Sequence, residues 1–127
     1  MIIGIGIDQV QIERIRKVAP RLFERICTEA EREYCERFGP EGRFERYAGR
    51  FAAKEALSKA LGTGIAAGVE WKDLEILPTA SGAPRAVLHG KAAAYAQSLG
   101  ATRIHVSITH DKVTASAIGI LEGPDPV

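Results

Sequence analysis

Asp8, Glu55 and Lys59 are the residues of this sequence whose types and spacing invite phosphate chemistry. Asp8 ends an apolar run, IIGIGI at 2–7, while Glu55 and Lys59 lie one helical turn apart in RFAAKEALSKALGTG, residues 50–64. Magnesium takes one or two protein carboxylates and completes its shell with waters and substrate phosphates, so two acids suffice for it. Each residue also has a plainer reading. A carboxylate between a strand and a following helix is often an N-cap. An acid four residues before a lysine is the favoured order for a surface pair of about 0.2–0.5 kcal/mol. Gly62 stands where a helix stops in left-handed backbone, and the GTG turn it opens could bring amides close to a phosphate. Asp8 and Glu55 are far apart in sequence, so only the fold can bring them together.

At 100° per residue, Ala53, Ala56, Leu57, Ala60 and Leu61 gather on one side of the 50–64 helix as a core stripe. Arg50 falls on the edge of that stripe and Phe51 lands beside Glu55, the reverse of a solvated helix. A second polar cluster lies in HVSITH, 105–110. In an extended strand His105, Ser107 and Thr109 share one face, which is either an anion-binding surface or an ordinary half-exposed one, and His110 sits at the turn. Arg14, Lys17 and Arg21 are spaced as one helical stripe, with Pro20 intervening before Arg21. Such a stripe is ordinarily a solvated face.

A chain of 127 residues, 46% apolar and 26% charged, fits one soluble domain over 1–127 with a sufficient core of its own. A net charge of +1 and few aromatics on expected strands argue against a nucleic-acid binder. Cys27 and Cys35 are too few for a disulfide framework, and with no CxxC pair zinc is not expected. The N-terminal apolar run lacks a basic flank, and no stretch nears the ~20 residues of a membrane span. A cytoplasmic protein is expected.

Residues 2–7 read as a buried strand closed by Asp8, then Val10, Ile12, Ile15 and Val18 line a short helix up to Pro20. Thr28 with Glu31 three residues on forms a capping box opening a helix over 28–38. GPEG at 39–42 reads as a loop before the long helix, and 62–68 as a glycine-rich connection. LEIL (74–77) and PRAVL (84–88) read as strands around the TASGAP turn, KAAAYAQSL (91–99) as a helix stopped by Gly100, and 103–110 with 113–121 as a hairpin. Residues 122–127 are expected to fray. This order predicts an α+β fold with helices packed on a largely antiparallel sheet.

Taken together, GIGIDQVQIERI (4–15), RFAAKEALSKALGTG (50–64) and HVSITHD (105–111) resemble the conserved blocks of the holo-acyl-carrier-protein synthases, the small bacterial 4′-phosphopantetheinyl transferases. WKDLEI (71–76) and GAPRAVLHGKA (82–92) are similar to that family's intervening hairpin and helix. Cys27 replaces a more usual leucine, and residues 36–45 carry no recognisable role. The resemblance implies a phosphopantetheinyl transferase fold that moves the phosphopantetheine arm of coenzyme A to a serine of an apo acyl-carrier protein, releasing 3′,5′-ADP, in support of fatty acid biosynthesis. It implies magnesium held by Asp8 and Glu55, with Lys59 at the pyrophosphate, where charge builds on phosphoryl oxygens. The serine proton would pass to Glu55 or to a metal-bound water. Arg50, Gly62, His105, Ser107, Thr109 and His110 would serve coenzyme A, with Gly82 to Pro84 at its adenosine. A homotrimer with sites between subunits is implied, and an acidic carrier protein against Arg14, Lys17 and Arg21. No membrane partner is implied. The competing readings are a magnesium-dependent nucleotide hydrolase or nucleotidyltransferase, and a non-catalytic coenzyme A-binding module.

Overall fold

In a computed structural model, which describes residues 1–18 and 20–126, the chain opens with strand β1 (Ile2–Gln11). The strand does not stop at Asp8. Ladder pairing with the last strand carries it three residues further, and Val10, expected on a helix, is buried within it. Helices α1 (Ile12–Val18), α2 (Arg21–Ile26) and α3 (Glu29–Glu36) follow. Arg21 therefore begins a second helix, and the three basic residues do not form one stripe. The capping box is present: Thr28 Oγ1 accepts from the Glu31 amide while Glu31 accepts from the Thr28 amide.

Helix α4 (Pro40–Leu61) begins inside the expected GPEG loop, because proline is well suited to the first turn of a helix. Gly62 ends it in left-handed backbone at φ 82°. After the glycine-rich connection, a short 3-10 turn that the pattern did not reveal (Trp71–Asp73) leads into the hairpin β2 (Leu74–Pro78) and β3 (Pro84–Leu88). Helix α5 (Gly90–Ser98), strand β4 (Arg103–His110) and strand β5 (Thr114–Glu122) complete the fold. Every pairing is antiparallel, in a three-stranded sheet ordered β1-β5-β4 and the separate β2-β3 hairpin. The α+β expectation is met.

α4 lies across one face of the three-stranded sheet. Its Ala52, Ala53, Ala56 and Leu57 are fully buried with Ala115, Ala117 and Leu121 of β5. The expected core stripe is the actual one. β1 is not buried on both faces, however. Gly4 and Gly6 point at the helix, while Ile5 and Ile7 point away and are 57% and 67% exposed. Part of the expected tail is held, its last residue lying outside the described ones: Glu122 is in β5, Gly123 and Met1 exchange backbone hydrogen bonds, and the Met1 amino group pairs with Asp125 at 3.0 Å.

Candidate active site

Gly4 and Gly6 let α4 come down onto β1 until backbone meets backbone. A Cβ on Gly4 would collide with the carbonyl oxygen of Ala60, and one on Gly6 with that of Ala56. Asp8 follows on the same strand face, two residues beyond Gly6, paired across the ladder with the buried Ala117. It therefore points toward α4 rather than capping α1. Lys59 reaches back over the strand, its Nζ donating to Asp8 Oδ1 at 3.1 Å and to the Ile7 carbonyl at 3.0 Å. Glu55 stands one turn earlier on the helix, half-buried. Burial raises its proton affinity, the negative charge of Asp8 raises it further, and Lys59 partly offsets both.

These relations distinguish a site from a surface ion pair. Lys59 spends its charge on Asp8, leaving Glu55 beside a second carboxylate that disfavours its ionised form. A divalent cation between two such acids would relieve that repulsion. Among the described residues no group of three or more His, Cys, Asp or Glu side chains gathers for a metal. Two carboxylates are a donor set that would fit magnesium, which completes its shell with water and phosphate oxygens, better than zinc.

A second site lies at the opposite edge of the sheet, on β4. Arg50, Gly82, Pro84 and His110, all expected at coenzyme A, line one cavity of about 150 Å³ together with Tyr34, Glu45 and Arg46. Arg50 is only 5% exposed, its guanidinium lies 4.5 Å from the centre of the Tyr34 ring, and its Nε has no hydrogen-bond partner. A nearly buried cation that forms no ion pair among the described residues is costly, and an anionic ligand would repay that cost. His110 Nδ1 lies 3.4 Å from Glu45 Oε2.

Other expected site residues stand elsewhere. His105, Ser107 and Thr109 pair with Ile120, Ile118 and Ser116, on the sheet face turned away from α4. His105 binds Glu122 at 2.9 Å, and Ser107 and Thr109 border a shallow hollow with Ile7 and Ile118. His110 is five residues beyond His105, an odd number, and so faces the other way. The GTG amides are spent on α4: Gly62 donates to the Lys59 carbonyl, and Thr63 and Gly64 to that of Ser58. Arg14, Lys17 and Arg21 are exposed and, among the described residues, pair with no carboxylate.

Sequence reasoning missed the buried Lys54–Glu31 pair. Lys54 Nζ donates to Glu31 Oε1 (2.9 Å) and to the carbonyls of Trp71 (2.9 Å) and Leu74 (2.7 Å), and both side chains are fully buried. Glu31 Oε2 also accepts from the Ile76 amide at 2.9 Å. A signal existed, since Lys54 precedes Leu57 and Leu61 by three and seven residues and so shares their stripe. Phe51 lies one helical turn before Glu55 on α4, and its ring stacks on Trp71 with centroids 5.3 Å apart.

With this geometry in hand, comparison with known proteins is direct. Residues 4–115 match the model of the 4′-phosphopantetheinyl transferase superfamily. The holo-[acyl-carrier-protein] synthase of Solidesulfovibrio magneticus is 50% identical, over 97% of this chain and 100% of its own. Among solved structures, the Bacillus anthracis holo-(acyl-carrier-protein) synthase in complex with CoA (3′,5′-ADP) superposes with a TM-score of 0.84 at 39% identity, covering 98% of this chain and 99% of that one. The Helicobacter pylori holo-[acyl-carrier-protein] synthase in complex with coenzyme A gives 0.80 at 32% identity, covering 93% and 99%. Sequence and fold agree, and the chain belongs to the 4′-phosphopantetheinyl transferase superfamily, among relatives that are holo-[acyl-carrier-protein] synthases.

Proposed function

We infer that this chain transfers the 4′-phosphopantetheine group of coenzyme A to a serine hydroxyl of an apo acyl-carrier protein. The serine oxygen forms a bond to the pantetheine-bearing phosphorus, the bond from that phosphorus to the bridging pyrophosphate oxygen breaks, and 3′,5′-ADP leaves. The observation that carries this reading is the meeting of Asp8, Glu55 and Lys59 where β1 and α4 touch, in a chain whose relatives bear that activity. Asp8 and Glu55 would hold magnesium, which when bound supplies positive charge at the pyrophosphate. Lys59, fixed by Asp8 and the Ile7 carbonyl, adds an ammonium beside the same oxygens. Glu55, half-buried beside Asp8, is the side-chain acceptor that the site offers the serine hydroxyl. Arg50, Arg46 and His110 would take the phosphorylated nucleotide end of coenzyme A, with Gly82 and Pro84 as the wall beside it.

The two halves sit on β1 and β4, opposite edges of the three-stranded sheet, about 10 Å apart at two strand spacings and separated by β5 and the overlying helix. Exposed Ile5 and Ile7, with Ile118 and Ile120 beside them, form an apolar sheet face that, among the described residues, no helix covers. Both features support a homotrimer in which the acids of one subunit work with the pocket of its neighbour. The reaction belongs in the cytoplasm, where it equips carrier proteins for fatty acid biosynthesis. The test is incubation with coenzyme A, magnesium and an apo acyl-carrier protein. A mass increase of one phosphopantetheine on the carrier serine is the expected result. Release of nucleotide without carrier modification would favour a hydrolase instead.

A further inference from the structure

The pocket at β4 contains its own anion. Arg46 and Arg50 supply positive charge to it, His110 adds an imidazole, and Glu45 is the one carboxylate in its lining among the described residues. Glu45 is not placed on the buried Arg50, whose Nε has no partner. A single oxygen, Oε2, instead stands 3.4 Å from His110 Nδ1 and 3.5 Å from Arg46 Nη1. Charge-assisted hydrogen bonds usually close to about 2.7–2.9 Å, so this carboxylate is loosely seated between the guanidinium and the imidazole. It is mostly buried, with 17% of its side chain exposed, so solvent screens it only in part. A phosphate entering the pocket to meet Arg50 would meet Glu45 as well, on the same two side chains.

We propose that Glu45 is a built-in competitor for the ligand phosphate, lending its carboxylate to Arg46 and His110 so that the pocket releases 3′,5′-ADP readily after transfer. This rests on the assignment of the pocket to the nucleotide end of coenzyme A. A pocket with two arginines and no counter-charge would hold substrate and product alike, and tight product binding slows turnover. Glu45 weakens both, and its carboxylate takes the place of the departing phosphate. It also keeps Arg46 and His110 paired between turnovers.

Calorimetric titration of 3′,5′-ADP into the wild type, Glu45→Gln, Glu45→Asp and Arg50→Ala at fixed salt separates the possibilities. Glu45→Gln removes the charge while keeping the shape, and Glu45→Asp withdraws the carboxylate by one methylene and serves if the first variant does not fold. Both should bind 3′,5′-ADP roughly three- to tenfold more tightly, the size of one partly screened charge interaction. In steady state they should show a lower KM for coenzyme A and stronger inhibition by 3′,5′-ADP. Unchanged or weaker binding overturns the proposal, and weaker binding would make Glu45 a residue that positions His110. Arg50→Ala should lose affinity. If it binds like the wild type, the pocket is not the nucleotide site and the assignment beneath the proposal fails with it.

Discussion

The ammonium of Lys59 lies 3.1 Å from Asp8 Oδ1 and is bonded to the carbonyl of the residue before it, so the helix is fastened to the strand at the point where two carboxylates converge. Glu55, one turn back, is left half-buried with the charge of Asp8 nearby. Asp8→Ala and Glu55→Ala should each abolish magnesium-dependent transfer with little change in thermal unfolding, since removing either ligand leaves too little to hold the ion. Rates across a magnesium titration check this, and near-normal turnover at low magnesium in either variant would remove that residue from the metal site.

Sharing of the site between subunits is open to a complementation test. Glu55→Ala and His110→Ala proteins, each inactive alone, should regain part of the activity when refolded together, because mixed trimers contain some clefts with both halves intact. A site built within one chain gives no recovery on mixing. His105 is left unchanged, because it points to the opposite face of the sheet.

Arg14 is exposed on α1 and, among the described residues, unpaired. Arg14→Glu should raise the KM for an acidic carrier by about tenfold and leave coenzyme A affinity within about twofold, and rising salt should slow the wild type. A carrier KM indifferent to both changes would locate the carrier elsewhere.

Lys54 makes a different prediction, about stability. Truncating one member of a fully buried ion pair leaves a charge and its acceptors without partners, so Lys54→Met should cost about 3–5 kcal/mol in denaturant unfolding. Trp71, the single tryptophan of the chain, accepts from Lys54 through its carbonyl and should report the loss as a change in native fluorescence. A variant as stable as the wild type, with its emission unaltered, would show the pair to be dispensable.

Acid sensitivity should follow Glu75. Burial favours its neutral form, but hydrogen bonds from Thr28 and His89 outweigh that and lower its pKa. A lowered carboxylate contributes stability at pH values above its unfolded value, about 4.3, and the contribution fades as pH falls through the folded value. The unfolding midpoint of Glu75→Gln should therefore fall less than that of the wild type between pH 6 and 3. Parallel curves would assign acid sensitivity to other groups.

How legible all this was depends on the reach of each signal. Periodicity is local, so the α4 core stripe, both hairpins and the Thr28–Glu31 cap stood in the sequence almost residue by residue. Asp8 and Glu55 were recognisable as acids, but their meeting depends on Gly4 and Gly6 admitting the helix, which is a packing fact. The HVSITH strand was read correctly, with His105, Ser107 and Thr109 on one face, and His110 at its end faces the other way. Lys54 and Glu45 were passed over because a charge within a helix reads as solvated until its neighbours from other elements are known.

The absent side chains of Gly4 and Gly6 have a last consequence. The distance from β1 to α4 is limited by main-chain atoms on both sides, and no residue is smaller than glycine. The gap across which Asp8 and Glu55 face each other is thus already at its minimum. Any replacement at these two positions can move the helix only outward, and no compensating replacement on the strand can draw it back. A site set in this way tolerates error in one direction only, so its metal would be lost by loosening and never by crowding.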